Sequence, residues 1–314
     1  MSTASLDDVH AATRGVTRLS VAVAVILIVL KTFALGASGS VSILASLADS
    51  ALDLIASLAT FFAVRWAAAP PDEEHRFGHG KGEAMAALVQ AGLIFASSVF
   101  IGWEAIQRLF DPRPVSAGWA GVSVILISMA LTGWLIWRQG RAIKASGSTA
   151  VAADRAHYAS DLAANLVVLI GVASGAFLSA SGLDAAAGLV VAVWLFWGGT
   201  GVLKGAADQL LDRTASDSDR ATITTAILSD PRITGVHRLR TRQAGPVLMM
   251  QMHVDMAPSL TLAEAHDILD AAETRLLELW PHADIMIHPD PRDAAPVDGI
   301  AEKDPDTAAT GADD

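Results

Sequence analysis

Apolar residues in this chain come in long blocks. Six stretches of about twenty residues, the length a helix needs to cross a hydrocarbon core, lie near Val16–Leu35, Val41–Trp66, Gly82–Leu109, Gly118–Trp137, Ala150–Ala180 and Ala185–Leu211. After Asp212 charged residues return and no later run could span a bilayer. Residues 213–290 instead show the shorter periods of a soluble fold. DSDRATITTAILSD (217–230) reads as a helix, VHRLRTR (236–242) as a strand and AGP (244–246) as a turn. VLMMQMHVDM (247–256) reads as a second strand, LTLAEAHDILDAAETRLLELW (260–280) as an amphipathic helix and ADIMIHPD (283–290) as a last strand. The order αββαβ predicts a small sheet with two helices on one face. The expected fold class is thus an α-helical membrane protein, with six transmembrane helices (14–212) followed by an α+β domain (213–290). Residues 1–13 form a short N-terminal tail. Residues 291–314, rich in Pro, Ala, Asp and Gly, have almost nothing to bury and are expected to be disordered.

Composition narrows the chemistry. The net charge of −11 comes largely from the C-terminal part and argues against nucleic acid as a partner. The chain has no cysteine, so any metal must be held by His, Asp or Glu. The first apolar run lacks a basic leader and a cleavage site, so a retained helix is expected. Arg14, Arg18, Arg65, Arg76, Lys81, Arg138, Arg141, Lys144, Arg213 and Arg220 flank the spans on one side, whereas the loops GASGS and SASGLD carry no Lys or Arg. The 3–4 loop has Arg108 and Arg113. The excess predicts a multi-pass protein of the cell inner (plasma) membrane with both termini in the cytoplasm.

Ionisable residues inside spans are expensive and mark function by default. Asp49 and Asp53 stand four apart within LADSALDLI (47–55), and nothing near them in sequence carries a positive charge. HYASD (157–161) puts His157 and Asp161 at the same spacing in the fifth span. Each pair projects from one helical face. Together the two pairs supply four N/O ligands, which suits a tetrahedral divalent site and zinc first. Asn165 continues the fifth-span face as a supporting group or as interhelical glue. In PPDEEHRFGHGKGE (70–83), Asp72, His75 and His79 have metal-compatible spacing, and a merely hydrophilic loop explains them equally well. His237, His253, His266 and His288 are scattered through the C-terminal part, with Asp255 on the strand face of His253 and Asp290 on that of His288. Spacing alone does not bring them together.

These residues carry a resemblance. LADSALDLI, HRFGHGKGE (75–83), HYASD, LLDR (210–213), HRLRTRQAGP (237–246), QMHVD (251–255), AEAH (263–266) and IMIHPD (285–290) are similar to segments of the cation diffusion facilitator family, bacterial YiiP-like branch, over residues 14–290. The resemblance implies a metallochaperone-like cytoplasmic domain and a homodimer that exports divalent metal in exchange for protons. It also implies three metal sites. Asp49, Asp53, His157 and Asp161 would form the transport site, Asp72, His75 and His79 a loop site, and His237, His253, His266, His288 and Asp290 a two-metal site in the soluble domain. Lys81 and Asp212 match a family charge pair, and Pro289 stands where relatives often have a polar residue.

The function expected is therefore a proton-coupled antiporter for Zn2+, both cargo and regulator, with Fe2+, Cd2+ or Mn2+ as alternative cargo. A membrane metalloenzyme would show an HExxH-type helix or a water-activating Glu, and neither is present. A passive channel or a membrane metal sensor without proton coupling are the remaining rivals. They differ in whether flux follows a proton gradient and in whether the span residues matter.

Overall fold

The computed structural model describes residues 6–38, 41–111, 119–177 and 183–292. Of the tail expected to be disordered (291–314), Pro291 ends the last strand and the Arg292 N–H donates to the Met256 carbonyl at 2.7 Å, while 293–314 fall outside the described residues. Six long helices come first: α1 (Leu6–Ser38), α2 (Val41–Ala67), α3 (Gly82–Phe110), α4 (Trp119–Ser146), α5 (Thr149–Phe177) and α6 (Leu183–Leu210). The C-terminal part follows as α7 (Asp217–Leu228), β1 (Ile233–Ala244), β2 (Val247–Met256), α8 (Leu262–Leu279) and β3 (Asp284–Pro291). Among the described residues, 7–210 form one compact unit and 211–292 another.

α1 begins at Leu6, well before its apolar run, and takes in much of the expected N-terminal tail. Asp7 and Asp8 in its first turn complement the helix dipole, and nothing in VHAATRGVTR breaks a helix. Five of the six helices are long and apolar enough to cross a membrane. The sixth, α5, has 29 residues, ample length at about 1.5 Å per residue, but its N-terminal half carries Asp154, Arg155, His157 and Asp161.

Inside the helical unit, polar side chains are buried alongside small and a few larger apolar ones, while many large apolar side chains face outward. Ser20, Ser57, Thr60, Gln90, Gln139 and Asp154 are buried, whereas Phe33, Phe62, Phe100, Trp103 and Trp197 face outward. In lipid there is no gain from burying Leu or Phe, so helices associate through small and polar residues. α3 packs most extensively on α6. A side chain at Gly188 would meet Ala105 Cβ at 2.9 Å, so glycine sets how closely these two helices approach.

In the C-terminal unit the sheet order is β1-β2-β3, with β1 and β2 antiparallel and β2 and β3 parallel. Even-numbered β2 residues (Leu248, Met250, Met252, Val254, Met256) join Ile223 and Ile227 of α7 and Ile268, Ala272 and Leu276 of α8 in one core. The odd-numbered residues, His253 and Asp255 among them, occupy the opposite sheet face. Ser216 caps α7 by accepting from the Asp219 N–H, and Thr261 with Glu264 forms a reciprocal capping box on α8.

Candidate metal centres

The first cluster lies between α2 and α5. One ligand atom each from Asp53, His157 and Asp161 fall within 4.8 Å of one another. His157 Nε2 is 3.4 Å from Asp53 Oδ1 and 3.9 Å from Asp161 Oδ2. Asp53 and His157 are buried. Neither His157 nitrogen makes a hydrogen bond to a described residue, nor does Asp161 Oδ2. Buried polar atoms are normally paired. Three converging lone-pair donors without protein donors facing them are what a cation needs. Asp49 is the exception among the four expected residues. It lies one turn earlier on α2, is exposed and stays outside the cluster, although Asp53, Lys31 and His157 all act on it through charge. The i, i+4 spacing offsets the residues by about 6 Å along the axis. The long imidazole of His157 bridges that offset to Asp161, and the short carboxylate of Asp49 does not.

The second cluster follows α2. The Asp72 carboxylate accepts from the backbone N–H groups of His75 (2.6 Å) and Glu74 (3.0 Å), which fixes the turn. Those bonds, the His75 one foremost, hold Asp72 below the usual carboxylate range. His75 Nδ1 is 3.3 Å from Asp72 Oδ1 and His79 Nε2 is 3.2 Å from Asp72 Oδ2. The rings of His75 and His79 lie 4.6 Å apart, and Trp66 from the end of α2 stands 5.3 Å from His79. All three expected loop residues meet.

Strand register makes the third cluster. His237 pairs with His253 across β1 and β2, His253 with His288 across β2 and β3, and Asp255 with Asp290 one step on. Three histidines thus form a row across the sheet, beside a row of carboxylates. Asp290 Oδ2 lies 2.8 Å from His253 Nδ1 and 3.2 Å from His237 Nε2, while Asp290 Oδ1 lies 3.1 Å from His288 Nε2. Burial pushes the Asp290 carboxyl up, but the His253 hydrogen bond and the neighbouring imidazoles outweigh it and hold it below its ordinary value. Ligand atoms of His237, His253 and Asp290 converge within 4.8 Å. His288 is exposed at the rim, its ring 4.7 Å from that of His253. His266 is not brought in. It is exposed on α8 and pairs with Asp270 at 3.4 Å.

Comparison with known proteins shows the family of the chain. The model of the cation efflux transmembrane domain matches residues 17–211, and that of the cation efflux protein cytoplasmic domain matches residues 215–292. The chain belongs to the cation efflux family. The cation-efflux pump FieF of Cronobacter sakazakii is 39% identical over 277 residues, 87% of this chain and 91% of that protein. FieF of Pectobacterium atrosepticum is 40% identical over 278 residues, 88% and 91% respectively. A solved chain of a candidate zinc transporter, CzrB, in its zinc form is 25% identical and covers 27% of this chain and 99% of its own, with a TM-score of 0.26. Cation efflux proteins are transporters, not enzymes, and this one is a multi-pass membrane exporter of divalent metal with a cytoplasmic domain.

Several residues of this cation efflux protein escaped the sequence reading. Lys31 of α1 is buried and donates to the Ser46 carbonyl (3.0 Å) and Ser50 Oγ (2.6 Å) on α2, so the acidic segment has a cation after all. Asp154, one turn before His157, is fully buried. Ser20 Oγ and Gln139 Nε2 each donate to Asp154 Oδ2 at 2.8 Å, and Gln90 Nε2 donates to Oδ1 at 3.3 Å. This one carboxylate therefore joins α1, α3, α4 and α5. Tyr158 OH donates to the Ser20 carbonyl at 3.2 Å and lies 2.8 Å from Ser57 Oγ, adding α2. The signal available in sequence was the bare presence of Lys31 and Asp154 inside apolar runs. Asp255, which strand alternation already puts on the face of His253, also reaches His237. Its Oδ2 lies 3.6 Å from His237 Nδ1, behind the nitrogen that faces the cluster. A side chain at Gly235, the cross-strand partner, would collide with the Asp255 carboxylate. The neighbouring Arg238 has a left-handed φ of 52° at a bulge between His237 and Arg240, which re-aims His237.

Proposed function

We propose that this protein exports zinc from the cytoplasm of a bacterium in exchange for protons, as a homodimer, with both termini on the cytoplasmic side of the inner membrane. The observation that carries the reading is the convergence of Asp53, His157 and Asp161 on two neighbouring helices within the membrane domain. An imidazole with carboxylates favours zinc or cadmium over manganese, and the Irving–Williams order favours zinc over iron(II). Iron(II), cadmium and manganese are the alternative cargoes.

Metal and protons compete for the same lone pairs. Binding needs a neutral imidazole and ionised carboxylates, so metal entry expels protons. When the helices shift and the site faces a more acidic compartment, protons return to His157 and the carboxylates, and the metal leaves. A free imidazole titrates nearer the working pH than a free carboxylate, and on that ground His157 is read as the coupling residue. Asp49, a turn away on α2, is read as joining the ligand set in the metal-loaded form. The loop cluster (Asp72, His75, His79) and the sheet cluster (His237, His253, His288, Asp290, with His266 as an outlying candidate) are read as regulatory sites. Metal there stabilises one arrangement of the dimer and shifts its population.

The test uses purified full-length protein in sealed vesicles containing a zinc dye and a pH dye. Wild type is expected to move zinc against an opposite proton flux under an imposed pH gradient. Asp53→Ala is expected to do neither. Zinc flux independent of the gradient would favour a channel and sink proton coupling, and an active Asp53→Ala would remove the site assignment.

A further inference from the structure

Lys31 is a buried cation that the transport reading leaves unused. Its Nζ is anchored to Ser46 and Ser50, which precede Asp49 and Asp53 by three residues and so share their helical face. Asp53, Asp49 and Asp161 are the carboxylates close enough to act on its charge. A lysine in a membrane span is costly to insert. A neutral glutamine would supply donors to the same two oxygens. The hydrogen bonds to α2 therefore do not by themselves call for a lysine.

Charge supplies the reason. Asp49, Asp53 and Asp161, ionised around one divalent ion with a neutral His157, leave one negative charge uncompensated. Lys31 carries one positive charge. We propose that Lys31 is the fixed counter-cation of the metal-loaded transport site, making the loaded core neutral and limiting how tightly it holds the metal. This rests on the reading of Asp53, His157 and Asp161 as the transport site, with Asp49 joining its ligands in the metal-loaded form. A neutral core is the form that changes orientation at least cost in a low-dielectric medium. The same positive charge repels a divalent ion across the site, which favours release. Lys31 is thus a positioning residue for the electrostatics of transport and not a ligand.

The experiment compares Lys31→Gln, Lys31→Arg and Asp53→Ala as full-length protein in zinc-loaded vesicle assays. A chelator-competition titration on proteins that also carry His75→Ala and His253→Ala accompanies it. Lys31→Gln keeps donors but loses the charge. It is expected to bind zinc about tenfold tighter, lowering KM, and to turn over more slowly. Lys31→Arg keeps the charge and is expected to match wild type in both. A structural clamp between α1 and α2 would give the opposite ranking or no KM-against-kcat split. If Asp53→Ala is inactive while Lys31→Gln matches wild type, the counter-cation role is overturned and the site assignment stands. If Lys31→Gln and Lys31→Arg fail alike while eluting as folded protein, the role is again overturned. If Asp53→Ala transports normally, the site assignment fails and the Lys31 role falls with it. Should Lys31→Gln not fold, Lys31→Met in the same titration decides: affinity no tighter than wild type overturns the role.

Discussion

His237 shows what one side chain needs before it can serve as a ligand. Its Nε2 faces Asp290 Oδ2 at 3.2 Å while its Nδ1 faces Asp255 Oδ2 at 3.6 Å. A carboxylate behind a ligating imidazole fixes its tautomer and orientation, and losing such a partner weakens metal binding by about tenfold to a hundredfold. Asp255→Asn is expected to lose that much zinc affinity at the sheet site, read by chelator competition with the membrane and loop sites disabled by His157→Ala and His75→Ala. Gly235→Ala is expected to do the same without removing a polar group, because its methyl would collide with the Asp255 carboxylate and displace it. Unchanged affinity in both variants would show that Asp255 does not orient His237. The alternation that puts Asp255 on the face of His253 is legible in sequence. Its reach to His237 on another strand is not.

At the scale of elements, the turn between α7 and β1 is tied down by charge. Asp230 is buried, and Arg232 holds it with Nε at 2.9 Å, Nη2 at 2.8 Å and its backbone N–H at 3.0 Å, with Arg275 of α8 at 3.9 Å. The Arg232 side-chain hydrogen bonds are the main reason its pKa falls from the ordinary 3.8 to about 2. The group binds protons more weakly folded than unfolded, so its contribution is present above the ordinary value and lost as pH falls toward about 2. Because the Arg232 side chain is 55% exposed, solvent screens this contribution. Asp230→Asn is expected to lower the melting temperature of the cytoplasmic domain at neutral pH. The gap from wild type should close as the pH drops below 4, a bound set by the ordinary carboxylate value. A gap independent of pH would refute the electrostatic account. The helices and strands here followed from local pattern, with shifts only at their ends. α1 reached back to Leu6 because its polar first turns are helix-competent even though they are not apolar.

For the whole molecule, the two units hold themselves together differently. The cytoplasmic domain has a closed hydrophobic core, from Ile223 through Met250 and Met252 to Leu276, that contains no proposed metal ligand. Stripping metal with a chelator is therefore expected to leave its circular dichroism and cooperative melt in place, unlike a zinc finger, which unfolds without its ion. Loss of the cooperative melt on chelation would show that metal belongs to the fold. The membrane unit relies on its buried polar groups, with Asp154 linking four helices. The sequence by itself determined the six apolar runs, the αββαβ order and the i, i+4 pairs. Each of these is local. A helix in lipid must satisfy its backbone within its own length, and side-chain direction along a helix or strand follows from its period. Only the tertiary structure decided that Asp53 meets His157 and Asp161 while Asp49 stands apart, that Lys31 arrives from α1, and that His237, His253 and His288 line up across three strands. Those outcomes depend on helix packing and strand register between segments far apart in the chain, and no local spacing encodes them.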